Sequence, residues 1–544
     1  MRLGIDFGTT HTVAALVDRG NFPVVPLGEH DVCPSLLAAH DDGRLKFGRD
    51  AAEVAREPGW HLLRSVKRLL HGAGPLSEVV LGPNTFLLSE LVSGFLAHVR
   101  ELICAQVARA VGEPLEAAIS VPANSSSGQR MLTVDAFRAA GFEVVRLLNE
   151  PSAAACEYAH RHKRTLSSKR EHVLVYDLGG GTFDASVLRL DELGSEVVGS
   201  AGVSQLGGDD FDRVLYQLAI DKAGLDEARI TPLLQQAILD ECRLQKEAVN
   251  PSTRKLVIDL GGAVSLGAVL PNTLATAPGA DARDPLPALP DAVVLAADTV
   301  YAACAPLIEA SLAAMEEALR DAHDGAGVEE GELAGIYVVG GQSSFPPVYR
   351  TLRERFGQSR VHRSPHPFGS CAIGLAIHLA EGGARKISEK LTRHIGVFRE
   401  SDAGREISCD VLLAKETPLP APGSPPLEVR RRYTPWHNIG HFRYFECARI
   451  QAGRPEGNLS LWDDLRFPFS KSLRDRDDLS QVAVERSGEQ PEVEEVIRAF
   501  SSGEVEVELR VLEDGYSRKA KISPRGSAPS RGPTLPPARK GAVG

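Results

Sequence analysis

Two short runs carry the residue types that handle phosphate. Asp6-Phe7-Gly8-Thr9-Thr10 and Asp177-Leu178-Gly179-Gly180-Gly181-Thr182-Phe183-Asp184 share one plan, in which a carboxylate leaves an apolar strand and small residues follow. Where side chains are missing from a tight turn, backbone N–H groups can approach an oxyanion closely. A carboxylate repels phosphate directly, but it can hold a hydrated magnesium ion that neutralises the phosphate charge. One such turn by itself is most often an ordinary hairpin, so the repeated placement of the acid is what points to phosphate. Two copies facing each other would make a clamp for a nucleoside triphosphate. The Walker pattern G-x-x-x-x-G-K-[ST] is absent from both turns.

The elements around these runs must aim them. Each enters from an apolar strand (Leu3 to Ile5; His172 to Tyr176) and leaves into another (His11 to Leu16; Phe183 to Leu188). From Met1 to about Ala384, short apolar strands alternate with amphipathic helices, as in Glu116 to Val121, a helix from about Gly128 to Ala140, then Glu143 to Leu148. This is α/β patterning. Because the strand–turn–strand opening recurs near Val173, it predicts two related lobes with a cleft between them. Ile336 to Gly341 reads as a buried strand ending in two glycines before a helix near Pro346, where a base or ribose can lie against bare backbone. Glu150-Pro151 opens an alanine-rich helix suited to close packing and shear between lobes. Phe211 to His323 is helix-rich and predicts an accessory subdomain, with a loop over Ala275 to Pro290.

The chain has 544 residues, enough for three or four folding units, and its net charge of −11 argues against nucleic acid or an anionic membrane as the main partner. Eight scattered cysteines form no Cys-x-x-Cys pair, and no basic-apolar leader or membrane-length apolar run is present. A soluble cytoplasmic protein is expected. After Arg385, prolines become frequent and short alternating runs appear, such as Phe442 to Ile450 and Glu504 to Leu512, predicting a β-rich domain. Residues 523–544 are Ser, Pro, Gly and Arg with few large apolar side chains, and predict a disordered tail. His437 and His441 would share a helix face and hold a metal, but their aromatic surroundings read as strand, so an aromatic surface or plain core is the better expectation.

Gly4-Ile5-Asp6-Phe7-Gly8-Thr9-Thr10, Val121-Pro122-Ala123, Asn149 to Ala155, Asp177 to Asp184, Leu206-Gly207-Gly208-Asp209-Asp210-Phe211-Asp212 and Val339-Gly340-Gly341 occur in one order along the chain. In these residues the chain resembles the seventy-kilodalton heat-shock chaperones of the DnaK type over about its first 385 residues. The resemblance implies an actin-like, two-lobed ATPase domain with ribonuclease H-like duplicated lobes (1–385), followed by a β-rich, substrate-binding-like domain (390–522) and the tail. It also implies ATP or ADP with magnesium as ligands, slow hydrolysis, polypeptide clients, and a co-chaperone and nucleotide-exchange factor as further partners.

Carried over by position, Asp6 and Asp177 resemble the carboxylates that organise the metal through water. Gly8, Thr9, Thr10, Gly179, Gly180, Gly181 and Thr182 resemble the phosphate cradle, and Gly207, Gly208, Lys246, Gly340, Gly341 and Ser343 the rest of the nucleotide contacts. Lys67 resembles the lysine that orients the attacking water, a role that suits phosphoryl transfer because it needs charge placement more than covalent help. Glu150 and Asp184 would align metal-bound and nucleophilic waters. Pro122 and Arg130 resemble a relay of nucleotide state.

Several positions depart from the family pattern. Ser344 stands where an arginine usually stacks on the base, Phe368 where aspartate is usual, Arg243 where glutamate is common and Asn250 where serine is common. The segment Lys386 to Thr392 is charged and lacks the family's leucine-rich linker, and too few residues follow the β-rich region for a helical lid. Three other functions stay open at this point. They are a small-molecule kinase of the same architecture, an ATP-timed scaffold or filament, and a nucleotide binder with weak or no hydrolysis.

Overall fold

The computed structural model describes the chain except residues 56, 108–112, 124, 192–193, 204, 263–289, 383–385, 402–405, 422, 452, 457–458, 463–464, 477 and 522–544. The expected tail lies outside the described residues, as does nearly all of the expected loop over Ala275 to Pro290. The chain forms two compact units, one of residues 1–153 with 371–544 and one of residues 154–370.

In the first unit, strands Glu143–Asn149, Glu116–Val121, Arg2–Phe7, His11–Leu16 and Cys33–Pro34 lie side by side in that order. Arg2–Phe7 is antiparallel to His11–Leu16 and parallel to Glu116–Val121. Leu3, Ile5 and Phe7 alternate onto one sheet face and are fully buried with Phe95, Leu96 and Val99 of the helix Leu88–Gln106. That helix shows apolar residues at three- and four-residue steps because a single stripe faces the sheet. On the other face a Cβ at Gly4 would come within 2.1 Å of the Ala372 carbonyl oxygen, so only glycine admits the helix Ser370–Ala380 so closely. Covering both faces explains why the opening strand is nearly all apolar.

The same plan recurs in the second unit. Val361–Arg363, Leu333–Val339, His172–Leu178, Phe183–Leu190 and Gly194–Val203 run in that order, with the hairpin antiparallel and the next strand parallel. The duplication expected from the sequence is therefore a duplication of sheet topology. The helix-rich stretch holds Gly208–Ala223, Pro232–Glu247 and Ala297–Gly325, with a two-stranded sheet of Lys255–Asp259 and Ala292–Ala296.

Among the described residues beyond 390 are two larger antiparallel sheets and a two-stranded pair of Arg449–Gln451 with Arg454–Glu456. One is ordered Glu406–Leu413, His394–Ser401, Ile439–Cys447, Ser460–Leu461, and the other Leu427–Tyr433, Val493–Ala499, Val505–Val511, Ser517–Lys521. Ile395, Val397, Leu412 and Tyr444 share one core with Ile497, Val507 and Leu509, which makes a sandwich. His441 lies on the strand Ile439–Cys447, and His437 forms an isolated bridge with Arg486. A four-residue step in extended chain spans about 13 Å, so these imidazoles share no helix face, as the strand reading of their surroundings expects. Phe442, Tyr444 and Phe445 are buried, in line with the plain-core expectation.

Candidate functional site

The two glycine turns are built on one backbone template. Gly8 N–H donates to the His11 carbonyl at 3.1 Å, and Gly179 N–H donates to the Thr182 carbonyl at 3.0 Å. The acids sit two residues before each of these glycines, Asp6 facing Val13 across its hairpin and Asp177 facing Asp184. A Cβ at Gly8 would lie 2.3 Å from the His11 carbonyl oxygen, whereas at Gly179 the nearest atom is 3.5 Å away. The first turn is therefore closed by sterics and the second is open.

Within the first unit, Asp6, Lys67 and Glu150 form a buried charge cluster. Lys67 Nζ donates to Glu150 Oε1 at 2.6 Å, and its side chain is only 4% exposed. Burying an unpaired ammonium costs on the order of several kcal/mol, so this lysine stays charged only because carboxylates surround it. Burial works against its charge, yet the Glu150 and Asp6 carboxylates raise its pKa above the ordinary value. Its ammonium also lies 5.7 Å from the Phe7 ring centroid. Burial, then the Glu150 carboxylate, pushes the Asp6 acid up to about 7, against the pull of Lys67 and a 3.1 Å hydrogen bond from Ser120 Oγ. Two carboxylates against one ammonium leave room for a cation's charge.

Ser65, at φ 54°, turns the chain so that Val66 and Lys67 enter the interior on the short helix Val66–Leu69. A non-glycine residue in that left-handed region costs about 1–2 kcal/mol. Neither Ser65 nor Ser120 carries a signal by which the sequence singles it out.

In the second unit the remaining expected residues converge. Gly208 N–H donates to the Gly179 carbonyl at 3.0 Å and Asp209 N–H to the Gly180 carbonyl at 2.7 Å, which seats the helix Gly208–Ala223 on the turn. A Cβ at Gly207 would come within 2.4 Å of Gly181 N, and one at Gly340 within 2.4 Å of Asp177 Oδ1. Lys246 Nζ donates to the Gly208 carbonyl at 2.7 Å and pairs with Asp212 at 2.7 Å. Ser343 is buried and its hydroxyl donates to the Gly340 carbonyl at 2.6 Å, so it braces the turn. Arg243 is tied to Asp209 at 2.6 Å and Asp212 at 3.0 Å, which makes it a brace between helices. No group of three or more His, Cys, Asp or Glu side chains among the described residues is placed to hold a metal directly.

Arg130 is placed elsewhere in the first unit, 5% exposed on the helix Ser127–Ala139. Its guanidinium donates to Asn149 Oδ1 and, at 3.2 Å, to the Ser502 carbonyl of the β-rich region. Glu389, in the charged junction, accepts from Asn149 N–H at 3.1 Å and from the Asn149 amide. Glu446 accepts from Ser127 N–H at 3.1 Å, at the helix start, and pairs with Arg393 at 3.4 Å. Burial holds the pKa of both carboxylates above the usual range. The junction is thus a buried polar contact with the N-terminal sheet layer, although its sequence shows only a run of charge. Pro122 closes the preceding turn, its carbonyl accepting from Ser125 N–H at 3.1 Å.

A family model described as Hsp70 protein matches residues 73–260. Chaperone protein HscA homologs are among the similar curated proteins. That of Azotobacter vinelandii is 34% identical over 398 residues, covering 69% of this chain and 57% of the relative. That of Burkholderia multivorans is 33% identical over 375 residues, covering 66% and 55%. That of Acidithiobacillus ferrooxidans (strain ATCC 53993) is 33% identical over 396 residues, covering 69% and 58%. The chain spans little more than half the length of these relatives.

Proposed function

The chain belongs to the Hsp70 family, and from that premise we propose that it is an ATP-dependent, chaperone-like ATPase whose nucleotide state sets the polypeptide affinity of its C-terminal β-rich region. The observation that carries this reading is the buried Lys67–Glu150 pair beside Asp6 on one glycine hairpin, with the same hairpin template repeated at Asp177. Gly8, Thr9 and Thr10 on one turn and Gly179, Gly180, Gly181 and Thr182 on the other bind phosphate oxygens through backbone N–H groups and hydroxyls. Lys67 orients water toward the terminal phosphoryl group, with Glu150 holding its ammonium in place. Magnesium, when bound, neutralises the phosphate charge, and Asp6 and Asp177 orient its waters. Asp184 and Glu150 complete the water-aligning set, and Lys246, Gly207, Gly208, Gly340 and Gly341 hold the nucleoside side.

Arg130, Asn149, Glu389 and Glu446 supply the coupling path, because they join the helix after Pro122 to the β-rich region through buried hydrogen bonds. Extended polypeptide is the client in this reading, and a co-chaperone and exchange factor are further partners. No helix among the described residues is long and apolar enough to cross a membrane; a cytoplasmic setting belongs to the proposal. The test is steady-state ATP hydrolysis by the whole chain with a panel of unfolded peptides and, separately, with small phosphate acceptors. Peptide-stimulated release of inorganic phosphate is expected. Phosphoryl transfer to an acceptor, or no turnover under any condition, overturns the proposal.

A further inference from the structure

Asp6 is held from the neighbouring strand. Glu116–Val121 runs parallel to Arg2–Phe7 with Ile5 beside Ile119, so the next step on each strand sets Asp6 beside Ser120. Both belong to one face of the sheet. Leu3, Ile5 and Phe7 enter the same core as Ala117, Ile119 and Val121, which turns Gly4, Asp6, Ala118 and Ser120 to the opposite side. Ser120 is fully buried there, and its hydroxyl donates to Asp6 Oδ1 at 3.1 Å.

The strand in the equivalent place of the second unit carries no such group. Leu333–Val339 runs parallel to His172–Leu178 as Glu116–Val121 does to Arg2–Phe7, and the residue beside Asp177 is Val339. The repeated topology therefore sets a hydroxyl beside one acid and an isopropyl group beside the other. Another fully buried strand serine, Ser186, has its hydroxyl 3.2 Å from that of Ser200, a neutral pair within the sheet. Ser120 instead gives its single O–H to a carboxylate.

We infer that Ser120 is a positioning residue for Asp6, and that its hydroxyl fixes the carboxylate in the orientation that receives the waters of nucleotide-bound magnesium. This rests on the nucleotide and magnesium reading proposed above and deepens it by naming the group that orients Asp6. A hydrogen bond to one carboxylate oxygen restricts rotation of the group, while the second oxygen can still accept from a metal-bound water. Freedom removed before the ligand arrives is freedom that binding does not have to remove. Partners that stand behind a metal-facing carboxylate change metal affinity by about 10–100-fold when they are deleted. Because Asp6 acts through water in this reading, the lower end of that range is expected.

The test is titration calorimetry of the whole chain with ADP, which is not hydrolysed, in magnesium and in EDTA, for wild type, Ser120→Ala, Ser120→Thr and Ser186→Ala. The quantity read is the gain in ADP affinity that magnesium brings. Ser120→Ala should lower this gain by about tenfold while its metal-free affinity stays within about twofold of wild type. Ser120→Thr, which keeps the hydroxyl, and Ser186→Ala, which deletes a buried hydroxyl away from Asp6, should both keep the gain within about threefold of wild type. A gain in Ser120→Ala within twofold of wild type overturns the role of Ser120. Equal losses in magnesium and in EDTA overturn it too, since they mark a merely structural serine, and so does a loss of gain in Ser186→Ala as large as in Ser120→Ala. If wild type binds ADP but magnesium brings no gain, the nucleotide reading stands and the role of Ser120 falls. If wild type binds ADP in neither condition, the nucleotide reading itself fails.

Discussion

The hairpins at Asp6 and Asp177 share a backbone and differ in what surrounds it. At the first, the glycine is locked by the His11 carbonyl, the acid faces an apolar Val13, and a buried lysine with its own carboxylate sits alongside. At the second, the glycine has room, the acid faces another acid, and two further glycine turns plus Lys246 pack against it. The first is furnished with tuned charge and the second with a glycine that has steric room. The topology repeats one hairpin backbone, and in the function proposed above the different side chains buried beside each copy would give the first the chemistry and the second the grip. That division of labour is open to attack from both sides.

The largest effect is expected at Lys67. Lys67→Ala should lower single-turnover ATP hydrolysis by roughly a hundredfold to a thousandfold, the usual cost of removing one positioned charge donor. Nucleotide affinity measured alongside should move by only a few fold, because in the proposed function Lys67 acts on water and backbone N–H groups hold the phosphates. A variant that loses affinity and keeps its rate would reverse the assignment.

Asp6 makes a pH prediction for magnesium-free protein. Its folded pKa of about 7 lies above the unfolded value near 4, so the folded state holds the extra proton between those limits. Stability contributed by that proton is present at low pH and is lost as pH rises through about 7. Asp6→Asn should flatten this decline by on the order of a few kcal/mol, read from urea midpoints at pH 5 and pH 7.5. Parallel pH profiles for the two proteins would remove Asp6 as the source. Magnesium, which favours the ionised form, should reduce the decline in wild type.

The glycines sharpen the comparison most directly. Gly8→Ala should destabilise by about 1–3 kcal/mol through overlap with backbone, whereas Gly179→Ala should cost less than about 1 kcal/mol. Equal denaturation midpoints for the two variants would erase the distinction drawn between locked and open turns. The smallest effect on the hydrolysis rate is expected at Arg243, whose ion pairs with partly exposed Asp209 and buried Asp212 brace the second turn's helix. Arg243→Ala should lower stability by about 1 kcal/mol and leave the hydrolysis rate within twofold. A large rate loss would place Arg243 in the site.

Much of this was legible in the chain before folding. Strand alternation, the two acid–glycine runs and the Gly207-Gly208 and Gly340-Gly341 pairs are local patterns, set by periodicity and by the small side chains a tight turn needs. Lys67 could be named but not placed. On its sequence it is an ordinary helix lysine, and only the left-handed turn at Ser65 and the approach of Glu150, eighty-three positions away, bury it. Ser120 and Glu389 had no local signal either, since each depends on a partner more than a hundred positions away. The charged junction was the clearest case. Its sequence shows only a run of charge, and tertiary packing turned Glu389 inward.

The sequence by itself determined the two acid–glycine turns, the alternation of strands and helices and the change to β structure after residue 390, because these follow from nearest-neighbour sterics and hydrophobic period. Tertiary structure alone decided which charges are buried, how far the acidity of Asp6 moves, which glycine is locked, and that Ser120 lies beside Asp6. Those properties depend on distances between residues remote in the chain, and electrostatics and packing act through distance in space.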